Sequence, residues 1–514
     1  MSTFAQLFEK MMAAHNVTMH QIAARLEVEY HVLNRFKNGT KKRSMKLLKS
    51  ILRVVPCNNR TEQELYEVLF REELQKAYGE EAWECIKALK ELLSIQFLSV
   101  DEMSEGMENI QRENQGSNGN DIWTTKNSLI SGRSSVRDAV LLILNQVREE
   151  SDDLPIVLWG QGTDTLLSDI AFAFHNTEIS VEHLYSLLPS TSQESNLNNL
   201  KLLAEVMPCL RSNFNYDVRV VYEEISSREA FFPFECLLMT ERTALWIEKE
   251  YKHAQIVTDS QVLAFYRAKF ESQYKNSTTV LQRSINIVDW QNEAQEMEEE
   301  GDTFYCLNWQ LCAMELIPVD VLAAHIKPEK KDYLISALGV YQKRVQTVKK
   351  KKKKSEYITR EGIQYFIDTG KILELPDEWY DPFSREERYV VLKKLLEIVQ
   401  NEYQLELAEE EKGEISSLVE TLKHPFIQIL NANHFNLTMG IAVRSSSEVD
   451  TDLSCLGYDG NMINFSFREA GIAKWIFHFF EFLPESGWVY SLKEQVGLLE
   501  EMVKEMENSK ETVE

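Results

Sequence analysis

The sequence predicts a multidomain protein with an all-α N-terminal domain, an α/β middle domain and an α+β C-terminal domain. Its 514 residues exceed what one ordinary hydrophobic core organises. Residues 99–122 are polar, glycine-bearing and aperiodic, and the hydrophobic periodicity changes on either side of them. The predicted units are a helical domain at 1–98, a flexible linker at 99–122, an α/β domain at 123–284 and an α+β domain at 285–514.

The first unit contains a segment, residues 17–44, that is typical of a helix, a tight turn, a second helix and a basic exit loop. Thr18 is a good N-cap for the first of these helices, whose buried side carries Ile22 and Leu26. The second helix ends at Gly39, a residue able to take positive φ. Its inner face is formed by Val28, Val32, Leu33 and Phe36, and its outer face by Tyr30, His31, Asn34 and Lys37.

This segment resembles the lambda-repressor and Cro type of helix-turn-helix domain, without a gap from Val17 to Leu48. The matching residues are Gln21, Ile22, Ala23, Leu26, Val28, Leu33, Phe36, Asn38, Gly39, Ser44, Leu47 and Leu48. The resemblance implies sequence-specific binding to double-stranded DNA, with the second helix in the major groove. The candidate DNA-binding residues are Thr18, Met19, Gln21, Tyr30, His31, Asn34, Lys37, Asn38, Lys41, Lys42 and Arg43.

Two residues depart from the family's pattern. Glu27 stands at the turn where the family usually has glycine, so a non-glycine residue is expected in the left-handed region. Glu29 places a carboxylate near the DNA phosphates, which lowers the expected affinity. The same motif also serves protein contacts alone, and a protein-interaction scaffold is therefore the alternative function.

The charge of the chain is divided unevenly. Residues 1–60 contain eleven Lys and Arg against three Glu, a balance of +8; since the whole chain is at −25, residues 61–514 carry −33. An acidic body repels nucleic acid, whereas the basic N-terminal end attracts it. DNA is therefore expected to meet one end of the molecule.

Composition argues against several other classes. No run approaches the roughly 18 apolar residues of a membrane span, and residues 1–15 have helical spacing rather than the pattern of a signal peptide. Seven scattered cysteines, with no C-x-x-C pair, indicate reduced thiols in a cytoplasm rather than a zinc site or a disulfide framework. The sequence therefore predicts no metal site and no cofactor.

Residues 123–284 alternate helices and strands, as in an α/β layer. The part from Cys236 to Tyr274 resembles the phospholipase-D-like fold that serves as a sensor in some transcription regulators. The catalytic form of that fold needs H-x-K-x-x-x-x-D, in which the histidine is the nucleophile. Neither His175 nor His253 is followed by this pattern. The resemblance thus implies a non-catalytic sensor, and no enzyme is predicted.

Three further features have two interpretations each. Gly160–Thr163 follows a strand and opens a helix, which suits a bound phosphate group or a plain turn, but it lacks the lysine of a P-loop. The six lysines of Lys349–Lys354 are expected to be a solvated run that closes a helix, rather than a DNA or membrane contact. His478 lies in an apolar helical stretch, which favours a hydrogen-bonded core histidine over a ligand or base.

In residues 285–514, Thr359 and Ser384 are predicted N-caps, and 433–443 and 460–470 are predicted strands that pair around the loop 444–460. These patterns identify no site. Taken together, the sequence predicts a cytoplasmic bacterial transcription regulator that binds double-stranded DNA as a homodimer. Its acidic body is expected to sense an unidentified small-molecule or protein effector, or to mediate assembly.

Overall fold

The computed structural model describes residues 3–40, 43–94, 128–150, 154–189, 195–222, 234–248, 250–284, 287–299, 302–310, 316–373, 375–411, 426–431, 437, 439–443, 451–457 and 462–511. The predicted linker 99–122 lies outside these residues, as do Lys41 and Lys42. The described part comprises an N-terminal helical domain followed by two mixed sheets with their helices, which confirms the predicted fold class.

Six described helices form the N-terminal domain, called the head below. They are α1 (Phe4–Ala14), α2 (Met19–Leu26), α3 (Tyr30–Asn38), α4 (Met45–Val54), α5 (Asn59–Tyr78) and α6 (Ala82–Leu93). In the core, the ring of Phe36 meets the edge of Phe4 at 5.4 Å and that of Phe8 at 6.2 Å between centroids. This edge-to-face packing holds α1 against α3.

The ends of α2 and α3 have the local geometry that the sequence predicts. The Thr18 hydroxyl accepts a hydrogen bond from the Gln21 backbone N–H at 3.3 Å, and the Gln21 side chain accepts one from the Thr18 N–H at 2.8 Å. This reciprocal pair is a capping box. Glu27 takes the left-handed region at φ +54°, and Gly39 ends α3 at φ +66°.

The first half of the body, residues 129–279, is a mixed sheet covered by helices. Its strands are β1 (Leu129–Ser131), β2 (Ile156–Gly160), β3 (Ser180–Leu187), β4 (Asn215–Tyr222), β5 (Cys236–Met239), β6 (Ala244–Ile247), β7 (His253–Val257) and β8 (Thr278–Thr279). Its helices are α7 (Arg133–Glu150), α8 (Asp164–Phe174), α9 (Ser195–Leu210) and α10 (Ser260–Lys275). The order is β1-β7-β6-β5-β2-β3-β4-β8, with β2, β3 and β4 parallel because helical crossovers join them.

The second half, residues 281–511, is built around another mixed sheet. Its strands are β9 (Leu281–Ser284), β10 (Thr303–Leu307), β11 (Lys353–Thr359), β12 (Ile427–Leu430), β13 (Met439–Val443), β14 (Thr451–Leu456) and β15 (Met462–Phe467). Its helices are α11 (Ile287–Glu299), α12 (Val319–His325), α13 (Pro328–Lys349), α14 (Arg360–Thr369), α15 (Arg385–Glu411), α16 (Ala470–Phe482) and α17 (Leu492–Glu511). The strand order is β12-β11-β10-β13-β14-β15-β9.

The two sheets have the same topology. Read from its other edge, the second sheet runs β9-β15-β14-β13-β10-β11-β12, which matches β1-β7-β6-β5-β2-β3-β4 of the first strand for strand. Each matched pair of neighbours also has the same relative direction. In the second sheet, the β10–β11 and β11–β12 crossovers each contain two described helices. The corresponding crossovers of the first sheet, β2–β3 and β3–β4, each contain one. The body therefore consists of two copies of one topology, which the sequence analysis did not predict.

The two halves adjoin each other at the end of the first sheet. Only Val280 separates β8 from β9, so residues 281–284, assigned by sequence to the middle unit, pair instead with β15 of the second sheet. Nearby, the Arg283 guanidinium donates to the Ser212 carbonyl at 2.9 Å. The Tyr222 hydroxyl lies 3.5 Å from the Glu469 carboxylate.

One strand of the second half lies where the sequence analysis predicted a loop. Strand β14, within residues 444–460, pairs with both β13 and β15, so these two predicted strands do not pair with each other. The alternating residues Leu453 and Cys455 of β14 are buried. Their period of two is the strand signal that the polar neighbours concealed.

Local signals in the second half had mixed outcomes. Thr359 and Ser384 cap helices as predicted, accepting from the N–H groups of Gly362 at 2.9 Å and Glu387 at 3.3 Å. The lysine run does not form one solvated segment: Lys349 ends α13, and Lys353 begins strand β11. The strand forms there because β10 and β12 pair with it on both sides.

The head packs against both halves of the body. Helix α6 contacts α9 of the first half and α16 of the second. From α5, the ring of Phe70 lies 5.5 Å from that of Phe482 and 5.7 Å from that of Trp488, while the ring of Tyr78 lies 3.9 Å from that of His478 at a tilt of 38°. This aromatic contact sets the orientation of the head relative to the body.

Candidate nucleic-acid interface

Helix α3 is buried on one face and open to solvent on the other. Leu33 and Phe36 are buried, whereas Tyr30 is 43% and Val32 38% exposed. The sequence analysis placed Val32 on the inner face. It is turned outward because Leu33 and Phe36, three residues apart, already form the buried stripe of this short helix. The open face therefore offers both polar and apolar side chains.

The two helices of the motif meet at an aromatic stack. The ring of Tyr30, the first residue of α3, lies over that of His20 in α2, with centroids 4.3 Å apart and planes 16° apart. Both side chains are on the surface. The stack fixes the start of α3 against α2, and it leaves the edges of both rings available to a partner.

Two hydrogen-bonded pairs occupy the polar part of this face. His31 Nδ1 lies 2.7 Å from a Glu29 carboxylate oxygen, and the Asn38 amide donates to the Asn34 side-chain oxygen at 3.2 Å. All four groups lie at the surface of α3 or at its N-cap, where water competes for them. Exposed pairs of this kind are weak, so a partner that offers matching groups can replace them.

Lys37 belongs to the head's own ion pairs. Its Nζ lies 2.7 Å from a Glu9 carboxylate oxygen, which ties α3 to α1. Thr18 and Gln21, also predicted to meet DNA, hold each other in the capping box at the exposed start of α2. Lys41 and Lys42 lie outside the described residues.

Two of the predicted contact residues are buried. Met19 is 9% exposed and packs in the core of the head. Arg43 is 4% exposed; its guanidinium donates to the carbonyl of Phe36 at 2.8 Å and to that of Lys37 at 3.0 Å, and it pairs with Glu72. Arg43 thus satisfies the carbonyls that end α3 and does not extend toward a phosphate.

Fewer cations face solvent than the charge count suggests. Besides Lys37 and Arg43, the Arg25 guanidinium donates to the Val54 carbonyl at 3.0 Å. Burial lowers the pKa of Lys49, while Glu494 and Glu406 of the body act against that shift. The exposed cations among the described residues of the head are Lys10, Arg25, Arg35, Arg53, Arg60 and Lys76.

Two residues of the open face were missed by the sequence analysis. His20 stacks on Tyr30, and Arg35 lies one turn beyond His31 with its side chain exposed. The signal for Arg35 was its spacing of four residues from His31, which places both on one side of the helix. The candidate interface is therefore the outer face of α3 with the start of α2, formed by Thr18, His20, Gln21, Tyr30, His31, Val32, Asn34, Arg35 and Asn38.

The other motifs have structural settings. Gly160–Thr163 is a turn in which the Thr163 hydroxyl accepts from the Leu166 N–H at 3.2 Å and so caps α8. His175 ends α8, while His253 lies in β7 and pairs with Glu248 at 2.8 Å. His478 is in α16 against the head. Within the described ranges, no group of three or more His, Cys, Asp or Glu could hold a metal ion. No described helix is both long and apolar enough to cross a membrane.

No family model and no curated protein matches the chain. Among solved structures, part of the chain is similar to TrmBL2, an archaeal chromatin protein whose structure shows a novel mode of DNA binding. The identity is 12% and the TM-score 0.21, over 46% of this chain and 100% of that chain. A score this low carries no argument, so the candidate interface depends on its own geometry.

Proposed function

We propose that this protein binds double-stranded DNA through the outer face of α3 and regulates transcription. One observation supports this function above the others: a helix with a buried inner stripe presents an open outer face that bears Tyr30, His31, Asn34 and Arg35. Hydrogen-bonding side chains on such a face can contact base edges and phosphates when the helix lies in a DNA groove, and an aromatic side chain can make apolar contacts there.

The dimensions of α3 suit the major groove. Its nine residues extend about 13 Å, comparable with the groove's width of about 12 Å. Asn34 can pair with adenine by accepting with its side-chain amide oxygen and donating with its amide nitrogen, and Arg35 can reach a phosphate or guanine. The left-handed turn at Glu27 provides the angle between α2 and α3 that directs α3 outward.

The packing of the head leaves this face accessible. The head contacts the body through α6 and through Phe70 and Tyr78 of α5, whereas Tyr30 and Val32 remain exposed. The acidic body therefore does not cover α3. It serves, in this proposal, as a sensor without catalytic turnover, and it operates in a bacterial cytoplasm.

Dimerisation is part of the proposal. One helix of this kind reads about four to six base pairs, too few to single out a site in a genome, so two heads would bind half-sites about one helical turn apart. The described part of the chain contains one such motif, at α2 and α3, so two copies of the chain would be needed to supply two heads.

A second candidate function is binding of a protein partner by the same face. The exposed Tyr30 and Val32 favour it, because apolar side chains on an open helix face are typical of protein interfaces. The Glu29 carboxylate beside His31 also favours it, since it repels phosphate. DNA binding through phosphate contacts should weaken steeply as the salt concentration rises, whereas binding of a protein partner through apolar side chains should depend little on salt.

The experiment is a binding-site selection from random duplexes with the full-length chain, followed by anisotropy titrations of selected and scrambled duplexes at several salt concentrations. We expect one enriched sequence and an affinity that falls linearly with salt on logarithmic axes. Replacement of Lys474, an exposed lysine of the body, by Ala is the matched control and should change neither. The absence of duplex binding at low salt would overturn the DNA-binding proposal and favour the protein-partner function.

A further inference from the structure

The lysine run at residues 349–354 divides between the fold and the surface. Two of its members belong to the fold. Lys351 is buried, and Lys354 donates to the Lys349 carbonyl at 2.9 Å, with its Nζ 5.1 Å from the centre of the Phe426 ring. The other four side chains are exposed, and they are Lys349, Lys350, Lys352 and Lys353. Because the run joins helix α13 to strand β11, the structure holds these four charges close together.

Ion pairs balance part of this exposed charge. Lys352 pairs with Asp302 at 2.6 Å, and Lys353 Nζ lies 3.6 Å from a Glu481 carboxylate oxygen. The other two exposed lysines form no ion pair among the described residues. Lys343, also exposed, lies seven residues before the end cap of α13 and so extends the positive surface along the same side of that helix. Like charges fixed on a folded surface repel one another, and a polyanion relieves this repulsion.

The exposed lysines lie next to the head. The Glu481 carboxylate of α16, which meets Lys353, also lies 3.6 Å from Nδ1 of His478. The ring of Tyr78, at the end of α5, lies 3.9 Å from the His478 ring. Two side chains of α16 thus connect the lysine run to the head.

The same turn of α5 reaches the end of α3. Lys76 donates to the carbonyl of Gly39, which ends α3, at 3.1 Å. Because Lys76 and Tyr78 are two residues apart, they point to opposite sides of α5. The end of α3 and the lysine run therefore flank one helix, whose diameter with side chains is about 10–12 Å. With the side chain of Glu481 included, they are roughly 15–20 Å apart, the length of about five or six base pairs.

We propose that the four exposed lysines, called the lysine patch below, bind the phosphate backbone of DNA that extends beyond the site held by α3. The inference rests on the proposed function, because the head must hold the duplex first. A duplex that continues past Gly39 and Lys76 reaches the patch next. Residues 61–514 carry −33, so without a local positive charge the body would repel this part of the duplex. Lysines suit such a contact, since phosphates are recognised by charge and without sequence preference.

The test compares two duplexes that contain the selected site, one that ends at the site and one extended by about ten base pairs on each side, or one helical turn. Anisotropy titrations of the full-length chain give the slope of log affinity against log salt for each duplex. The slope should be steeper for the long duplex, because each additional phosphate neutralised adds about 0.9 to its magnitude.

Lys349→Gln together with Lys350→Gln should lower the slope on the long duplex by about 2 for each bound chain and leave the short duplex unchanged. Both side chains are exposed, so the variant should unfold at the same temperature as the wild type. The matched control is Lys331→Gln together with Lys275→Gln. It removes two exposed lysines, one at the other end of α13 and one on α10, and should change neither slope.

Equal slopes for the wild type and the Lys349→Gln Lys350→Gln variant on the long duplex would overturn the proposal and leave the proposed function intact. An absence of binding to both duplexes at low salt would overturn the two together. Sedimentation with vesicles of phosphatidylserine and phosphatidylcholine tests an anionic membrane as the partner, and we expect no binding. Vesicle binding that the variant loses, with its DNA slopes unchanged, would assign the patch to a membrane surface instead.

Discussion

The guanidinium of Arg43 and the carboxylate of Glu72 lie 2.5 Å apart, and this contact joins the end of α3 to α5. The same Glu72 carboxylate accepts the backbone N–H of Phe4 at 2.8 Å. The guanidinium also lies over the ring of Phe4, 4.7 Å from its centre. Since α5 in turn contacts the body through Phe70, this pair lies on the path that connects the candidate interface on α3 to the rest of the chain.

Replacing Arg43 with Met should destabilise the head by about 3 kcal/mol, because it leaves the Glu72 carboxylate and the carbonyls at the end of α3 without their donor. Replacing the exposed Arg35 with Met is the matched control and should change stability by less than about 0.5 kcal/mol. Urea unfolding followed by circular dichroism measures both. Equal stabilities of the two variants would contradict the structural role of Arg43.

Asn34 and the lysine pair Lys41 and Lys42 should contribute differently to DNA binding. Asn34→Ala should reduce the preference for the selected duplex over a scrambled one, by about 1 to 3 kcal/mol of discrimination, with an unchanged salt dependence. Replacing Lys41 and Lys42 together with Ala should weaken binding to all duplexes and reduce the log-log salt slope by about 2. Anisotropy at several salt concentrations measures both effects, and an unchanged slope in the lysine variant means that these residues do not meet DNA.

Stability should fall in acid because of His183. Its Nε2–H donates to the Gly160 carbonyl at 2.9 Å, and its Nδ1 accepts from the Tyr216 hydroxyl at 2.7 Å. Burial lowers the pKa of His183 to about 4. The neutral form is thus favoured in the folded state, and this contribution is complete above pH about 6.5 and lost as pH falls toward 4, in total about 3 kcal/mol. His183→Gln should have a flatter stability profile in this range; an equally steep profile would exclude His183 as the cause.

Glu402 should have the opposite effect on the same pH series. One carboxylate oxygen accepts the Phe426 N–H at 2.8 Å, and the other is buried without a partner among the described atoms. Burial raises the pKa of Glu402 to about 7. Its contribution is therefore complete below pH about 4.5 and lost as pH rises through 7. Glu402→Gln should be more stable than the wild type by about 3 kcal/mol at pH 8 and equally stable at pH 4. A variant less stable at pH 8 would refute this assignment.

The full-length chain should be a dimer at micromolar concentration. Light scattering should give about 120 kDa, twice the 59.8 kDa of one chain. The selected duplex should bind two chains, and its half-sites should be about one helical turn apart. A mass near 60 kDa, with one chain per duplex, would limit recognition to a single half-site.

Local patterns in the sequence were sufficient for the helix-turn-helix segment. The Thr18 cap, the left-handed Glu27 and the end of α3 at Gly39 each depend on residues within one or two turns of the chain. The alternation of helices and strands in the first half was also predicted, because the hydrophobic period changes along that part of the chain, but β3 at its centre was missed. Such features are fixed by neighbours in the chain, which the sequence displays directly.

Other features required the folded chain. Arg43 was predicted at a phosphate and is buried against Glu72, 29 residues away, because the position of α5 decides which cations of the loop face solvent. The duplicated topology of the body was not predicted, since β14 was hidden in polar sequence and two crossovers hold extra helices. The lysine patch lies next to the head because α16 contacts both Lys353 and Tyr78. Sequence patterns determine elements and their caps, whereas burial, pairing across sheets and the surroundings of a charged run depend on contacts between distant segments, which only the tertiary structure decides.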